Sequence, residues 1–159
     1  MRLDNKKIKV MFVCLGNICR SPMAEMVFAN LVNEKGLADQ FEIQSSGTGG
    51  WHVGERPHPG TIQILRQNNV PVNPQKRGQK VKNNIFEEFD YVIAMDSSNK
   101  QNLIPLGKAT LLLDEIPGGQ YRDVPDPYYE QNFDFVFKLV TEGCKYLLDR
   151  ICKEKGLSC

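Results

Sequence analysis

The sequence predicts an α/β fold in three layers, a four-stranded parallel sheet flanked by helices, and three observations predict it. Ile8 to Cys14 is β-branched and apolar on both parities, the pattern of a strand buried on both faces. Short strand patterns then alternate with helical ones along the chain. Finally, Phe133, Val136, Phe137, Val140, Cys144, Leu147, Leu148 and Ile151 mark one face of a long amphipathic terminal helix.

Taken in order, the first strand leads directly into a helix. Ser21 and Pro22 offer a cap residue and a first-turn proline, Met23, Met26, Val27 and Leu31 recur at helical spacing, and Lys35-Gly36 closes it. A second strand follows around Phe41 to Gln44, a helix around Thr61 to Gln67, and a third strand from Tyr91 to Met95. A short helix after Ser97 joins it to a fourth strand, Thr110 to Leu113. In such folds ligands sit at the carboxyl ends of the strands, which here means the loop that begins at Cys14.

Composition narrows the function classes. The chain of 159 residues has no repeat, low-complexity tract or Ser/Gly linker, so we expect one domain, 1–159, its core running from Lys6 to about Lys155. Hydrophobic residues make up 41% and charged residues 25%, which excludes disordered and fibrous classes. With 20 Lys and Arg against 19 Asp and Glu the net charge is +1, so no nucleic-acid partner is expected. The start is polar and basic, and Val10 to Leu15 is too short for a signal-peptide core or a membrane span. We therefore expect no membrane partner and a cytoplasmic protein, with export by a route lacking a signal peptide left open. Five cysteines without secretory features argue against a disulfide framework. Cys144 and Cys152 are read as core residues, and Cys159 as a free, frayed end.

The loop Cys14-Leu15-Gly16-Asn17-Ile18-Cys19-Arg20-Ser21 carries the chemistry. Its cysteine ends a buried strand, Gly16 and Asn17 tolerate left-handed backbone angles, and Ser21-Pro22 opens a helix. Such a loop turns backbone N–H groups inward as an anion nest, to which the helix N-terminus adds partial positive charge. Arg20 offers a planar fork to two oxygens of one phosphoryl group. The same donors, with the Ser21 hydroxyl, favour the thiolate of Cys14, making it a nucleophile at neutral pH. A core cysteine beside a capping arginine would not need Gly, Asn, Arg and a capped helix together. A nucleotide-binding loop is excluded because neither G-x-G-x-x-G nor G-x-x-x-x-G-K-[ST] occurs.

A thiolate displacing an aryl or alkyl oxygen needs a proton donor opposite it. His52 and His58 lie in a Gly/Pro-rich loop with no evident pairing to Cys14, and we assign both to the surface. Asp126, in Asp123-Val124-Pro125-Asp126-Pro127-Tyr128-Tyr129, is the better candidate: flanking prolines stiffen its loop, and the tyrosines offer walls for a flat substrate.

Through VCLGNICRSPMAE (13–25), SSGTGGWHVGE (45–55), FDYVIAMDSSN (89–99) and DVPDPYY (123–129), the chain closely resembles the low-molecular-weight protein tyrosine phosphatases over nearly its whole length. The resemblance implies a flavodoxin-like fold of the phosphotyrosine protein phosphatase I type, and hydrolysis of phosphotyrosine or small aryl phosphates through a phosphocysteine. It implies Cys14 as nucleophile, Arg20 as phosphate-binding and transition-state group, and Asp126 as general acid and then base. The backbone of Leu15, Gly16, Asn17, Ile18, Cys19 and Ser21 would cradle phosphate. Asn17, Ser21 and Ser46 would fix the loop shape, and Leu15, Trp51, Tyr128 and Tyr129 would line the mouth. No metal and no cofactor is implied; the partners are a phosphotyrosine protein or small phosphoester and the product phosphate, and the protein is a monomer or weak homodimer.

Cys19 becomes a redox partner for Cys14 on this reading. The family often has a histidine bracing the loop asparagine; in Pro74-Gln75-Lys76-Arg77-Gly78-Gln79, Lys76 takes that place, and the histidine's role is not carried over. A phosphoarginine phosphatase, a thioredoxin-linked arsenate reductase and a non-catalytic phosphopeptide-binding module are the rival readings. The reductase would need cysteines between Cys19 and Cys144, where there are none.

Overall fold

The structure, a computed structural model, describes residues 6–159; the polar start from Met1 to Asn5 lies outside them. Four parallel strands, β1 (Ile8–Cys14), β2 (Phe41–Gly47), β3 (Tyr91–Ala94) and β4 (Thr110–Leu111), form one sheet in the order β2-β1-β3-β4. The central strand β1 pairs on both sides. Its alternation sends Ile8, Val10, Phe12 and Cys14 into one apolar cluster and Met11 and Val13 into another, as a strand covered on both faces requires.

Helices fill both layers. On the first face, α1 (Arg20–Glu34), α2 (Pro59–Gln67) and the last helix close the larger core, where Phe28 makes edge contacts with Phe12 and Phe41 at ring separations of 5.5 and 5.9 Å. On the second, α3 (Ile85–Glu88) and α4 (Ser97–Leu103) contribute Ile85 and Leu103. A single turn, α5 (Pro127–Glu130), precedes the long α6 (Phe133–Lys155).

The predicted order of strands and helices is present, with local differences. β2 runs to Gly47 rather than Gln44, because its polar end, Ser45 and Ser46, is paired with Phe12 and Val13 and buried. The fourth strand is cut to two residues, since Leu112–Glu115 coils into a 3-10 turn. Ser21 does not cap α1: the helix already begins at Arg20, and the Ser21 hydroxyl turns instead toward Cys14 and Asn17. Cys159 is not a free end. Gly156, at φ 68°, reverses the chain after α6, and Cys159 returns to a disulfide with Cys152, Cα to Cα 6.3 Å. A bridge across one helix end shows neither in the cysteine count nor in the lack of secretory features.

Candidate active site

Cys14 is the last residue of β1 and 2% exposed, so the strand itself delivers the sulfur to the sheet's carboxyl edge. The chain then folds back over it. Asn17 takes the left-handed conformation at φ 57° and donates its N–H to Cys14 Sγ at 3.3 Å, while Ser21 Oγ lies 3.0 Å from the same sulfur. The loop's outer side is satisfied from elsewhere: the carbonyls of Cys14 and Leu15 accept from Thr48 and Gly49 N–H, that of Ile18 from His58 N–H, and that of Cys19 from the Thr61 hydroxyl. β2 can approach this closely because Gly47 has no side chain; a Cβ there would stand 2.7 Å from the Leu15 oxygen.

Beneath the loop lies a buried polar chain. The Asn17 amide donates to Ser21 Oγ at 2.8 Å and Ser45 Oγ at 2.9 Å, and its oxygen accepts the Gln79 N–H at 3.0 Å. Ser45 donates to Glu25 at 2.6 Å, and Glu25 pairs with Lys76 Nζ at 3.4 Å. Lys76 also donates to the Ser45 carbonyl at 2.8 Å. Burial drives both ends of this pair toward neutrality, raising the pKa of Glu25 and lowering that of Lys76, and each charge partly offsets the effect on the other. Lys76 thus braces the loop, but through Ser45 and Glu25; Asn17 itself is held by the backbone of Gln79.

Arg20 enters from the first turn of α1, 3% exposed. Its Nη1 donates to Asp96 Oδ2 at 2.5 Å and to the Val124 carbonyl at 3.0 Å, and its Nη2 stands 3.6 Å from Asp126 Oδ2. Burial opposes the guanidinium charge, but Cys14, Asp96 and Asp126 outweigh it and raise the pKa above the usual arginine value. Asp126 precedes Pro127 at the start of α5 and accepts the Tyr128 N–H at 3.0 Å.

These groups face a pocket of about 280 Å³. Cys14, Arg20 and the loop residues Leu15, Gly16, Ile18 and Cys19 line it, and Trp51, His52, Asp126, Tyr128 and Tyr129 complete it. Asn17 and Ser21 are 1% and 0% exposed, and their side chains turn into the loop. Ser46 is misplaced by one residue. Adjacent strand residues point to opposite faces, so Ser45 reaches Asn17 while the Ser46 hydroxyl donates to Met11 Sδ at 3.3 Å; only the Ser46 carbonyl meets Ser21.

Three contributors escaped the sequence reading. His52 lines the pocket, its Nδ1 2.7 Å from the Glu55 carboxylate. Asp96 holds Arg20 and also caps α4, a dual use that only the fold reveals. Glu25 reads as one more helix residue until Ser45 and Lys76 meet it. His58 caps α2, accepting the Gly60 N–H at 2.9 Å, and stacks on Phe133 at 5.2 Å. Among the described residues no cluster of three or more His, Cys, Asp or Glu is arranged to hold a metal ion, and no helix is long and apolar enough to cross a membrane.

A buried cysteine at the end of a central parallel strand, an arginine one loop away and an aspartate beside that arginine thus meet at the carboxyl edge of the sheet, where a fold of this class binds its ligands. The model of the family described as low molecular weight phosphotyrosine protein phosphatase matches residues 9–157, and the chain belongs to that family. The low molecular weight protein-tyrosine-phosphatase YfkJ of Bacillus subtilis is 46% identical over 156 residues, covering 94% of this chain and 99% of that protein. PtpA of Staphylococcus epidermidis, another protein of that description, is 42% identical over 158 residues, covering 94% and 97%. The YfkJ crystal structure superimposes with a TM-score of 0.91 over 94% of this chain and 98% of the other, at 43% identity. A protein tyrosine phosphatase from Entamoeba histolytica, with Hepes in its active site, gives 0.85 at 30% identity over 94% and 99%. The chain is therefore a protein tyrosine phosphatase of the low-molecular-weight type.

The buried pair makes a testable demand. Lys76→Met and Glu25→Gln should each destabilise the protein by about 3–5 kcal/mol in urea unfolding, because each strands the other partner in a buried site. The double variant should be more stable than the sum of the two losses implies.

Proposed function

We propose that the protein hydrolyses phosphotyrosine and related aryl phosphates in two steps on Cys14. The ester's phosphoryl oxygens rest on the loop amides and the Arg20 fork, and the Cys14 thiolate attacks phosphorus in line with the departing oxygen. Asp126 gives that oxygen its proton, so the phenol leaves neutral and a phosphocysteine remains. The carboxylate of Asp126 then takes a proton from the attacking water, the S–P bond breaks, and inorganic phosphate departs. Positioning and electrostatics supply most of the rate, since the cradle matches a phosphoryl group before substrate arrives.

The observation that carries this reading is Cys14 on a pocket wall shared with Arg20 and Asp126, whose guanidinium and carboxyl groups stand 3.6 Å apart. Substrate choice rests on the mouth. Tyr128 and Tyr129 meet edge to face at 5.0 Å and, with Trp51, offer aromatic walls to a flat ring, which favours phosphotyrosine over the shorter phosphoserine.

Cys19 supports a protective redox step in the same pocket. Burial, followed by the negative charge of Cys14, pushes its pKa up to about 12, so it rests as a thiol. Peroxide takes the Cys14 thiolate to a sulfenic acid and leaves as hydroxide; the Cys19 thiol then displaces water from that sulfenic acid to form a disulfide, which external thiol reduces.

Cys14→Ser should lower kcat on nitrophenyl phosphate by about 10³-fold or more while retaining inhibition by inorganic phosphate in the parent's range. Retained turnover would remove Cys14 from the mechanism. Asp126→Asn should lower kcat/KM for phenyl phosphate by about 10²-fold or more and far less for a dinitrophenyl ester, whose leaving group needs no proton. In Cys19→Ser, less of the activity lost to peroxide should return with dithiothreitol than in the parent; equal recovery would exclude the Cys19 step.

A further inference from the structure

Asp126 sits at the end of an irregular segment whose anchorage the chemistry above leaves unexplained. Every residue from Pro117 to Asp123 is exposed, and the chain is buried again only at Val124. The last exposed residue, Asp123, is fastened across to the start of α4: its Oδ1 accepts the Ser97 N–H at 2.8 Å and the Ser97 hydroxyl at 2.7 Å. Directly after it, the Val124 N–H donates to the Met95 carbonyl at 2.9 Å, and the Val124 carbonyl accepts from Arg20. The turn Asp96-Ser97 therefore grips both halves of the site, Arg20 through its first residue and the Asp126 loop through its second.

Only Val124 and Pro125 separate Asp123 from Asp126. Pro125 fixes its own φ, and Pro127 restricts the backbone of Asp126, so this arm has little freedom left once Asp123 is tied. Held at Asp123 and again at Val124, the arm leaves the Asp126 carboxyl few positions to take.

We propose that the Ser97–Asp123 tie is the positioning device for proton transfer, holding Asp126 where the leaving oxygen emerges; this rests on Asp126 being the acid. Ser97 and Asp123 are positioning residues and do not line the pocket. Misplacement of a reacting group by about 1 Å is enough to cost on the order of 10²-fold, so loss of the tie is felt in the chemical step.

The test measures kcat/KM over a series of aryl phosphates from phenyl to dinitrophenyl, with inhibition by inorganic phosphate as the control for the loop. Asp123→Ala should lose about 10-fold or more on phenyl phosphate and little on the dinitrophenyl ester, with phosphate inhibition within about twofold of the parent. Asp123→Asn, whose amide oxygen still accepts from both Ser97 donors, should recover most of the loss. Ser97→Ala, which keeps the N–H, should shift the profile in the same direction by a smaller factor, and it keeps the proposal testable if Asp123→Ala does not fold. In an Asp126→Ala background, Asp123→Ala should add nothing further on phenyl phosphate.

A loss equal across the series, or one that multiplies with that of Asp126→Ala, would overturn the proposal while leaving Asp126 as the acid. A flat profile in Asp126→Ala itself would remove the acid assignment and the proposal with it, a result distinguishable from the first.

Discussion

The site depends on the side chain of Asn17. Its backbone is held at a positive φ, where a residue with a Cβ sits at a cost, and four hydrogen bonds hold it there: its own N–H to the Cys14 sulfur, its amide to Ser21 and Ser45, and its oxygen from the Gln79 N–H. Each partner comes from a different place in the fold. Ser21 is in α1, Ser45 in β2 and Gln79 in the segment beyond α2, so the loop's shape expresses how these three pieces dock.

Behind Asn17, the protein holds a charge pair in a setting that penalises both charges. Ser45 shares the Glu25 carboxylate with Lys76, and Lys76 returns a bond to the Ser45 carbonyl. A lysine suits this geometry because its three donors can turn to a carboxylate and a carbonyl at once, whereas an imidazolium has two donors fixed in its ring plane. Arg56 and Arg77 secure the segment that carries it by donating to the carbonyls of Pro74 and Lys76.

The layered fold was legible because β1 is apolar on both parities and the helices keep their period. The thiol, the arginine and the carboxylate of the site were legible because they stand in compact local patterns: a strand, a loop and a helix start for Cys14 and Arg20, and two flanking prolines for Asp126. What stayed hidden depends on register and on distant partners. Ser45 and Ser46 are indistinguishable in composition, and only the pairing of β2 with β1 decides which faces Asn17. Asp96 reads as an ordinary helix cap until Arg20 is seen beside it, and His52 as a loop residue until the 51–54 turn is seen over Gly16. The tie between Cys152 and Cys159 followed from one left-handed glycine rather than from the cysteine count.

Arg20 draws on Asp96 and Val124, 76 and 104 positions away along the chain, and Asn17 on Gln79, 62 away. Bringing groups so distant in sequence together costs loop-closure entropy that a helix turn does not. A nascent chain that has synthesised both Cys14 and Arg20 still lacks the partners that shape their surroundings. Catalytic competence is thus a property of the finished molecule, and hydrolysis during refolding would report completion of the tertiary structure rather than formation of its helices.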